Sequence, residues 1–208
     1  MDWLDLLHLS DSAFPTGAYA HSFGLETLAP ANLRAALVVR VRESLARLEL
    51  PFVLHAYTLG WEDLDAELHA RLLAREPREA SAAIGTALLR GVCDLLDDPR
   101  LVGFLRDGPH HHHAIAWAAV ACVLDVAPAL AAESYAFGAL RGQVSAAQRL
   151  GWLGQRDAQR LLHALKPEVR LAAEVAAGLT LDQAGAFAPA WDIASMRHES
   201  AGARMFAS

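Results

Sequence analysis

Residues 32–50 read NLRAALVVRVRESLARLEL, and this stretch predicts the fold class of the whole chain. Its apolar residues recur every three or four positions, the spacing that places side chains on one face of an α-helix. These residues are Leu33, Leu37, Val41, Leu45 and Leu48. Asn32 precedes the pattern directly, and its side chain is suited to capping the first helical turn. The stretch therefore predicts an amphipathic helix that buries one face.

Similar patterns, broken by Gly, Pro and Asp, cover most of the remaining chain. They lie at about residues 2–9, 19–28, 63–75, 78–96, 112–126, 130–150 and 157–179. Pro51 is expected to begin a new helix, and Pro167 to kink or divide the last one. No stretch alternates apolar and polar residues as a strand would. The sequence predicts an all-α, single-domain bundle of about seven to ten helices over residues 1–180, followed by a C-terminal interaction tail over 181–208.

Composition agrees with a helical domain and excludes some classes of function. The chain has 208 residues, of which 54% are hydrophobic, and Ala and Leu dominate. That length is ordinary for one domain. The formal charge is −6, and Lys166 is the single lysine. An acidic chain without a basic run predicts no nucleic-acid partner.

The chain lacks the marks of a membrane or exported protein, which predicts a cytoplasmic protein without a membrane partner. Its most apolar window, 114–132, contains Asp125 and Pro128 and does not reach the roughly 20 apolar residues of a membrane-spanning helix. The first residues, MDWLDLLHLSDS, carry acids where a signal peptide carries bases. Cys93 and Cys122 lie in apolar helical patterns and are expected to be buried, reduced thiols.

Motifs for catalysis are missing. A phosphate-binding loop needs a Gly-rich turn that ends in Gly-Lys, whereas Lys166 lies in LKPE. His198-Glu199 lacks the second histidine of a metalloprotease helix, and no Gly-x-Ser-x-Gly turn occurs. The sequence therefore predicts a protein that is not an enzyme and has no cofactor.

A run of four histidines, His110, His111, His112 and His113, is the strongest candidate for metal binding. Imidazole is a common ligand of nickel and zinc. Pro109 places the run at the start of a helix, where the dipole disfavours cations. Two interpretations stay open: a nickel-binding tract, or a solvated loop that is rich in histidine.

Both ends of the chain allow two interpretations. The segment SDSAFPTGAYAHSFGLE, residues 10–26, is either a turn with Tyr19 in the core or a loop that presents Tyr19 to a partner. The tail mixes Gly and Pro with apolar residues, so it either packs on its own domain or binds a partner. We expect residues from about 181 to be poorly ordered or loosely docked in the isolated protein.

Four segments resemble those of one family, in the same order along the chain. LLHLSDSAFPTGAYAHSFGLET, residues 6–27, resembles the N-terminal motif of the UreF urease accessory proteins. DIASMRHESAGARMFAS, residues 192–208, resembles their C-terminal signature, although 201–203, Met205 and Ala207 differ from the commoner residues. REASAAIG, residues 78–85, and VSAAQRLGWLGQRDAQRLL, residues 144–162, match internal stretches.

The resemblance implies an all-α homodimer that binds UreD (UreH in some lineages), recruits the GTPase UreG and helps to deliver Ni²⁺ to apo-urease. In the family, the aromatic at the Tyr19 position and the arginine at the Arg204 position are implicated in recruiting UreG, and the tail contacts UreD. The partner-binding residues that we expect are Tyr19, His21, Glu26, Met196, Arg197, His198, Glu199 and Arg204. We also expect Tyr19 and Arg204 to lie on one surface. The alternative function is a nickel carrier that uses His110–His113.

Overall fold

The computed structural model describes residues 3–28, 31–198 and 205–206, and within these ranges it consists of helices joined by turns and loops, without a strand. The α-helices are α1 Trp3–Leu9, α2 Leu25–Leu28, α3 Leu33–Val39, α4 Leu50–His55, α5 Trp61–Arg71, α6 Arg75–Cys93, α7 Pro99–Asp107, α8 His113–Val123, α9 Pro128–Arg149, α10 Gln155–Ala177 and α11 Pro189–His198. Short 3₁₀ turns occupy Ala18–Ala20 and Leu181–Gln183. The predicted all-α bundle is confirmed.

The stretch that opens with Asn32 forms one continuous helix over residues 33–55. The Asn32 side chain accepts a hydrogen bond from the Ala35 N–H at 3.1 Å, so the predicted cap is confirmed. The prediction that a new helix begins at Pro51 is wrong, because α3 and α4 are joined by a π-helical segment, Arg40–Glu49.

Residues 185 and 187 donate backbone hydrogen bonds to carbonyl groups of this π-helical segment. Pro51 has no N–H to donate to the Arg47 carbonyl, four residues earlier. The Gly185 N–H donates to that carbonyl instead, at 2.8 Å, and the Phe187 N–H donates to the Glu43 carbonyl at 3.0 Å. These bonds fasten residues 185–187 along the widened helix and compensate for its altered hydrogen bonding.

The core surrounds α8, which packs against α4, α6 and α9. Every residue of α8 from Ala114 to Ala121 is at most 6% exposed. This burial explains why the sequence of α8 is apolar on all sides. Phe52 and Phe104 are the largest fully buried side chains in the described ranges, and burying one such ring contributes roughly 1.5–3 kcal/mol.

Two other expectations need correction, and one helix was not predicted. The helix expected over 19–28 is reduced to Leu25–Leu28, because Phe23 and Gly24 have positive φ angles of 51° and 84°, which a right-handed helix cannot contain. Helix α10 is not divided, since it continues through Pro167. Helix α7 was not predicted, although Asp98-Pro99 is a recognisable start: the Asp98 carboxylate accepts the Arg100 N–H at 2.9 Å.

Cys93 and Cys122 are free, as expected, but they are half-buried rather than fully buried. Burial raises the pKa of the Cys122 thiol to about 11, so the thiol is protonated near neutral pH.

Among the described helices, none is both long and apolar enough to cross a membrane.

Candidate functional site

The N-terminal motif is a loop that presents Tyr19 to solvent. An Arg141 side-chain N–H from α9 donates to the Ser10 carbonyl and holds the start of the loop. Gly17 then takes a left-handed conformation, with φ 71°, and the 3₁₀ turn Ala18–Ala20 follows. Tyr19 is 69% exposed at the centre of this turn. The interpretation of Tyr19 as a core aromatic is therefore wrong, and its predicted exposure is confirmed.

The end of the motif contacts the tail through a glycine. A Cβ atom added to Gly24 would lie 2.5 Å from the Ser195 Oγ and 2.9 Å from the Ser195 backbone nitrogen. Only a residue without a side chain permits this approach, and the φ of 84° also favours glycine. Gly24 therefore allows α2 and α11 to pack directly together.

Helix α11 has one buried side and one exposed side. Trp191, Ala194 and Ser195 are at most 5% exposed, and α11 packs against α2 and α6. In the structure α11 is packed on the domain, whereas the expected loose docking of the tail in the isolated protein stays a prediction. Met196 and Ile193, at 49% and 48% exposed, lie on the outer side.

The remaining predicted partner-binding residues have different surroundings. Arg197 is exposed, like Met196, whereas His21 is half-buried and its ring centroid lies 6.0 Å from that of Phe23. Glu199 and Arg204 lie outside the described residues, as does the side chain of His198, which ends α11. The expected proximity of Tyr19 and Arg204 stays a prediction.

The described end of the chain returns to the N-terminal motif. The Met205 N–H donates to the Glu26 carboxylate at 2.9 Å, across 179 positions of sequence. Phe206 is 4% exposed, and the Arg149 guanidinium lies 4.3 Å from the centroid of its ring. Burial lowers the pKa of Arg149, and the nearby Tyr19 opposes that shift. Of the predicted site residues, Glu26 therefore contacts the described end of the chain directly. Tyr19 lies near Arg149, which in turn contacts Phe206.

A cavity of about 260 Å³ lies under the exposed loop. It is lined on one side by the loop, including Asp11 and Tyr19, and on the other by α9, including Arg141 and Gln148. Sequence reasoning did not assign a role to Arg141 or Arg149. Arg149 could have been found as a candidate because it lies in the stretch 144–162, which resembles the family. That resemblance alone does not show which residues its side chain contacts.

A polar network, also missed from the sequence, links the core to the tail. Arg40 and Glu49 form an ion pair at 2.7 Å, and the Tyr135 hydroxyl donates to Glu49 at 2.6 Å. Burial, reinforced by Glu49, raises the pKa of Tyr135. Asp192 of α11 faces the same group: its burial raises the pKa of its carboxyl, and Arg40 opposes that shift. The π-helical segment and α11 therefore share one charged cluster.

The histidine tract is a structural turn held by a buried carboxylate. Asp65 is fully buried, and it accepts backbone N–H bonds from His110, His111 and His112 at 2.7, 2.6 and 2.7 Å. His112 is itself fully buried, so the interpretation as a solvated loop is wrong. His69 was not a sequence candidate, yet its Nδ1 lies 3.1 Å from the His112 Nε2. The tract thus connects α5 to the start of α8.

The electrostatics favour neutral imidazoles at three positions, His69, His112 and His113. Burial lowers the pKa of His112 and of His113 to about 4, and it also lowers the pKa of His69. In the part of the chain that the structure describes, no group of three or more His, Cys, Asp or Glu side chains is arranged to hold a metal ion. The contacts described for the tract are structural.

The fold and this site define a class: an all-α protein in which the N-terminal loop and the C-terminal tail together form a candidate interaction surface. The sequence model of the family described as UreF matches residues 28–166, and the chain belongs to this family of urease accessory proteins.

Individual relatives match over nearly their whole length. The urease accessory protein UreF of Arthrobacter sp. (strain FB24) is 36% identical, over 99% of this chain and 96% of the relative. The UreF protein of Paenarthrobacter aurescens (strain TC1) is also 36% identical, over 99% and 97%. That of Geobacillus kaustophilus (strain HTA426) is 33% identical, over 98% and 96%.

Proposed function

We propose that this chain is a non-catalytic adaptor in the maturation of urease, acting in the cytoplasm as a homodimer. In this proposal it binds UreD (or UreH), recruits the GTPase UreG and so assists the insertion of nickel into apo-urease. UreG supplies the nucleotide chemistry, and this chain supplies binding surfaces. Membership of the UreF family supports the assignment to urease maturation.

The observation that carries the adaptor role is the exposure of Tyr19 on the N-terminal loop. A tyrosine that is 69% exposed on a glycine-initiated turn gains nothing from the protein core. Tyr and Arg side chains are enriched among the residues that dominate interface energies. In our proposal, Tyr19 and Arg204, the residue before Met205 in the chain, together bind UreG.

The tail supplies the second proposed contact. Ile193, Met196 and Arg197 are exposed on the outer side of α11, while its inner side is buried against the domain. An ordered helix with an apolar outer side loses little conformational entropy on binding, which favours docking of a partner. We propose that UreD binds this side of the tail, together with His198 and Glu199.

Co-purification tests the proposal. The chain is expressed with its cognate UreD and UreG, and a tag on UreD recovers all three proteins. Tyr19→Ala is expected to weaken UreG recruitment by about 2 kcal/mol or more, the usual scale of a dominant interface residue. UreD should still be recovered with the Tyr19→Ala variant, because the tail is unchanged.

A matched control separates recruitment from stability. Leu95, 57% exposed after the end of α6, is an apolar surface residue outside the proposed surface. Leu95→Ala should recruit UreG normally, and both variants should melt close to the wild type. Normal UreG recruitment and normal urease maturation with Tyr19→Ala would show that the assignment of this residue is wrong.

A further inference from the structure

The outer side of α10 carries a row of basic side chains. One side of this helix is apolar and buried against the domain, and the opposite side is exposed. On the exposed side, each basic residue follows the previous one by three or four positions, the spacing of neighbours on a helix surface. At 1.5 Å per residue, the row is about 21 Å long. Its members, here called the basic stripe, are Arg156, Arg160, His163, Lys166 and Arg170.

The acidic residues of α10 do not cancel this charge. Asp157 pairs with Arg160 at 3.0 Å, at the edge of the stripe. Glu168 makes two bonds to Arg42, at 2.7 and 2.9 Å, and so faces the helix over residues 33–55. Glu174 lies beyond the stripe, towards the end of α10. The stripe therefore keeps an excess of positive charge.

This charge does not stabilise the helix that carries it. Arg156 lies in the first turn of α10, where the helix dipole disfavours a cation. Arg156 and Arg160 stand four positions apart, as do Lys166 and Arg170, and like charges at that spacing destabilise a helix. In the ranges that the structure describes, Arg156, Lys166 and Arg170 take part in no ion pair. Neither the helix nor a described contact accounts for the stripe.

We propose that the basic stripe is a docking surface for an acidic segment of a partner protein. A guanidinium group pairs with a carboxylate in a planar, two-point contact, so a row of arginines fits a row of Asp and Glu side chains of similar length. The stripe is only one helix wide, and the chain as a whole has a formal charge of −6. That overall charge repels the extended negative surface of a nucleic acid or an anionic membrane, whereas a protein can present a short acidic row.

The stripe is continuous with the surface around the N-terminal loop. Gln159 of α10 lines the cavity beneath the loop of Tyr19. The same residue lines an open depression together with Arg156, Arg160 and His163. A partner that docks on the stripe therefore lies beside the Tyr19 loop. Exposed charges at such a surface act mainly on the rate of association and on its salt dependence.

Binding of a poly-L-glutamate peptide to the isolated full-length chain tests this surface. The fluorescent peptide is titrated with the chain at low ionic strength, and fluorescence anisotropy gives the dissociation constant. Arg156→Gln/Arg170→Gln should weaken binding by roughly 2- to 30-fold, the loss expected for two exposed ion pairs. At about 1 M salt, where the Debye length is about 3 Å, the difference should disappear. The double variant should melt no lower than the wild type, because neither arginine has a described ion pair.

A matched control tests whether position or total charge matters. Arg90→Gln/Arg106→Gln removes two exposed arginines from α6 and α7, outside the stripe, and should leave binding unchanged. Equal losses in the two double variants, or no binding by the wild type at low ionic strength, would overturn the proposal. Tighter binding of a DNA duplex of equal charge, or of phosphatidylserine vesicles, would overturn the assignment to a protein partner. UreD, UreG and urease are absent from this assay, so its outcome is independent of the proposed function.

Discussion

Replacing Asp65 with asparagine should destabilise the protein more than any surface substitution, because one buried carboxylate organises the turn before α8. Its Oδ2 accepts the His110 and His111 N–H groups, and its Oδ1 accepts that of His112. An asparagine has one carbonyl oxygen and one amino group. If the oxygen takes the Oδ2 position, the amino group faces the His112 N–H, and two donors oppose each other.

The size of the effect follows from these three bonds. A hydrogen bond to a charged group contributes about 1.5–3 kcal/mol, and an unsatisfied buried donor costs about 1–3 kcal/mol. Asp65→Asn loses one bond outright and weakens the other two. The free energy of unfolding should therefore fall by roughly 3–5 kcal/mol.

Urea unfolding followed by circular dichroism measures this loss, and Asp63→Asn is the matched control. Asp63 is exposed in the first turn of the same helix, so its substitution should change the free energy of unfolding by at most about 0.5 kcal/mol. A loss below about 1 kcal/mol for Asp65→Asn would refute the structural role that we assign to the tract.

Two further predictions concern the packing of the tail and the pH dependence of stability. Gly24→Ala should reduce the free energy of unfolding by about 2–4 kcal/mol, since it combines a left-handed backbone with overlap against Ser195. Gly103→Ala is the matched control, because a Cβ atom added at Gly103 has no other atom within 4 Å. In urea unfolding this variant should be neutral or slightly stabilising. Equal losses of stability for the two variants would contradict the explanation by overlap with Ser195. Because the folded-state pKa values of His112 and His113, about 4, lie below the ordinary value of 6.5, the unfolded chain takes up protons first as the pH falls. The free energy of unfolding should therefore fall between about pH 6.5 and about pH 4, by up to about 3 kcal/mol for the fully buried His112. Urea unfolding measures this loss. Urea midpoints that stay constant over that pH range would contradict the conclusion that burial keeps these imidazoles neutral.

Local patterns predicted the helices well wherever a single amphipathic face determines the structure. The spacing of apolar residues after Asn32 and the cap itself were both confirmed. Prediction failed where backbone geometry depends on a distant contact. Phe23 adopts a positive φ next to Gly24, where the chain packs against Ser195, and no local pattern indicates that contact.

Pro51 is a second position at which a distant contact, and not the local pattern, determines the backbone. A proline usually marks a boundary, so the prediction of a new helix was reasonable. The helix nevertheless continues, with π-helical turns before Pro51 and with the Gly185 N–H bonded to the Arg47 carbonyl. The donor comes from a segment more than a hundred positions away, which periodicity within the helix cannot reveal.

The candidate site was predictable in part. The resemblance of both chain ends to one family identified Tyr19 and Glu26 as candidates, and the structure places Tyr19 at the surface and Glu26 beside Met205. It did not indicate Arg149, because arginines are frequent in this chain and nothing local distinguishes the one that covers Phe206.

The sequence by itself determined the helical class, the approximate helix positions and the family, because periodicity, caps and ordered motifs are properties of residues close together in the chain. Only the tertiary structure decided which side chains meet. Asp65 reaches the histidine tract across 45 to 47 positions, and Glu26 reaches Met205 across 179. Such contacts form only when the packed core brings distant segments together, so they depend on the whole fold rather than on any local pattern.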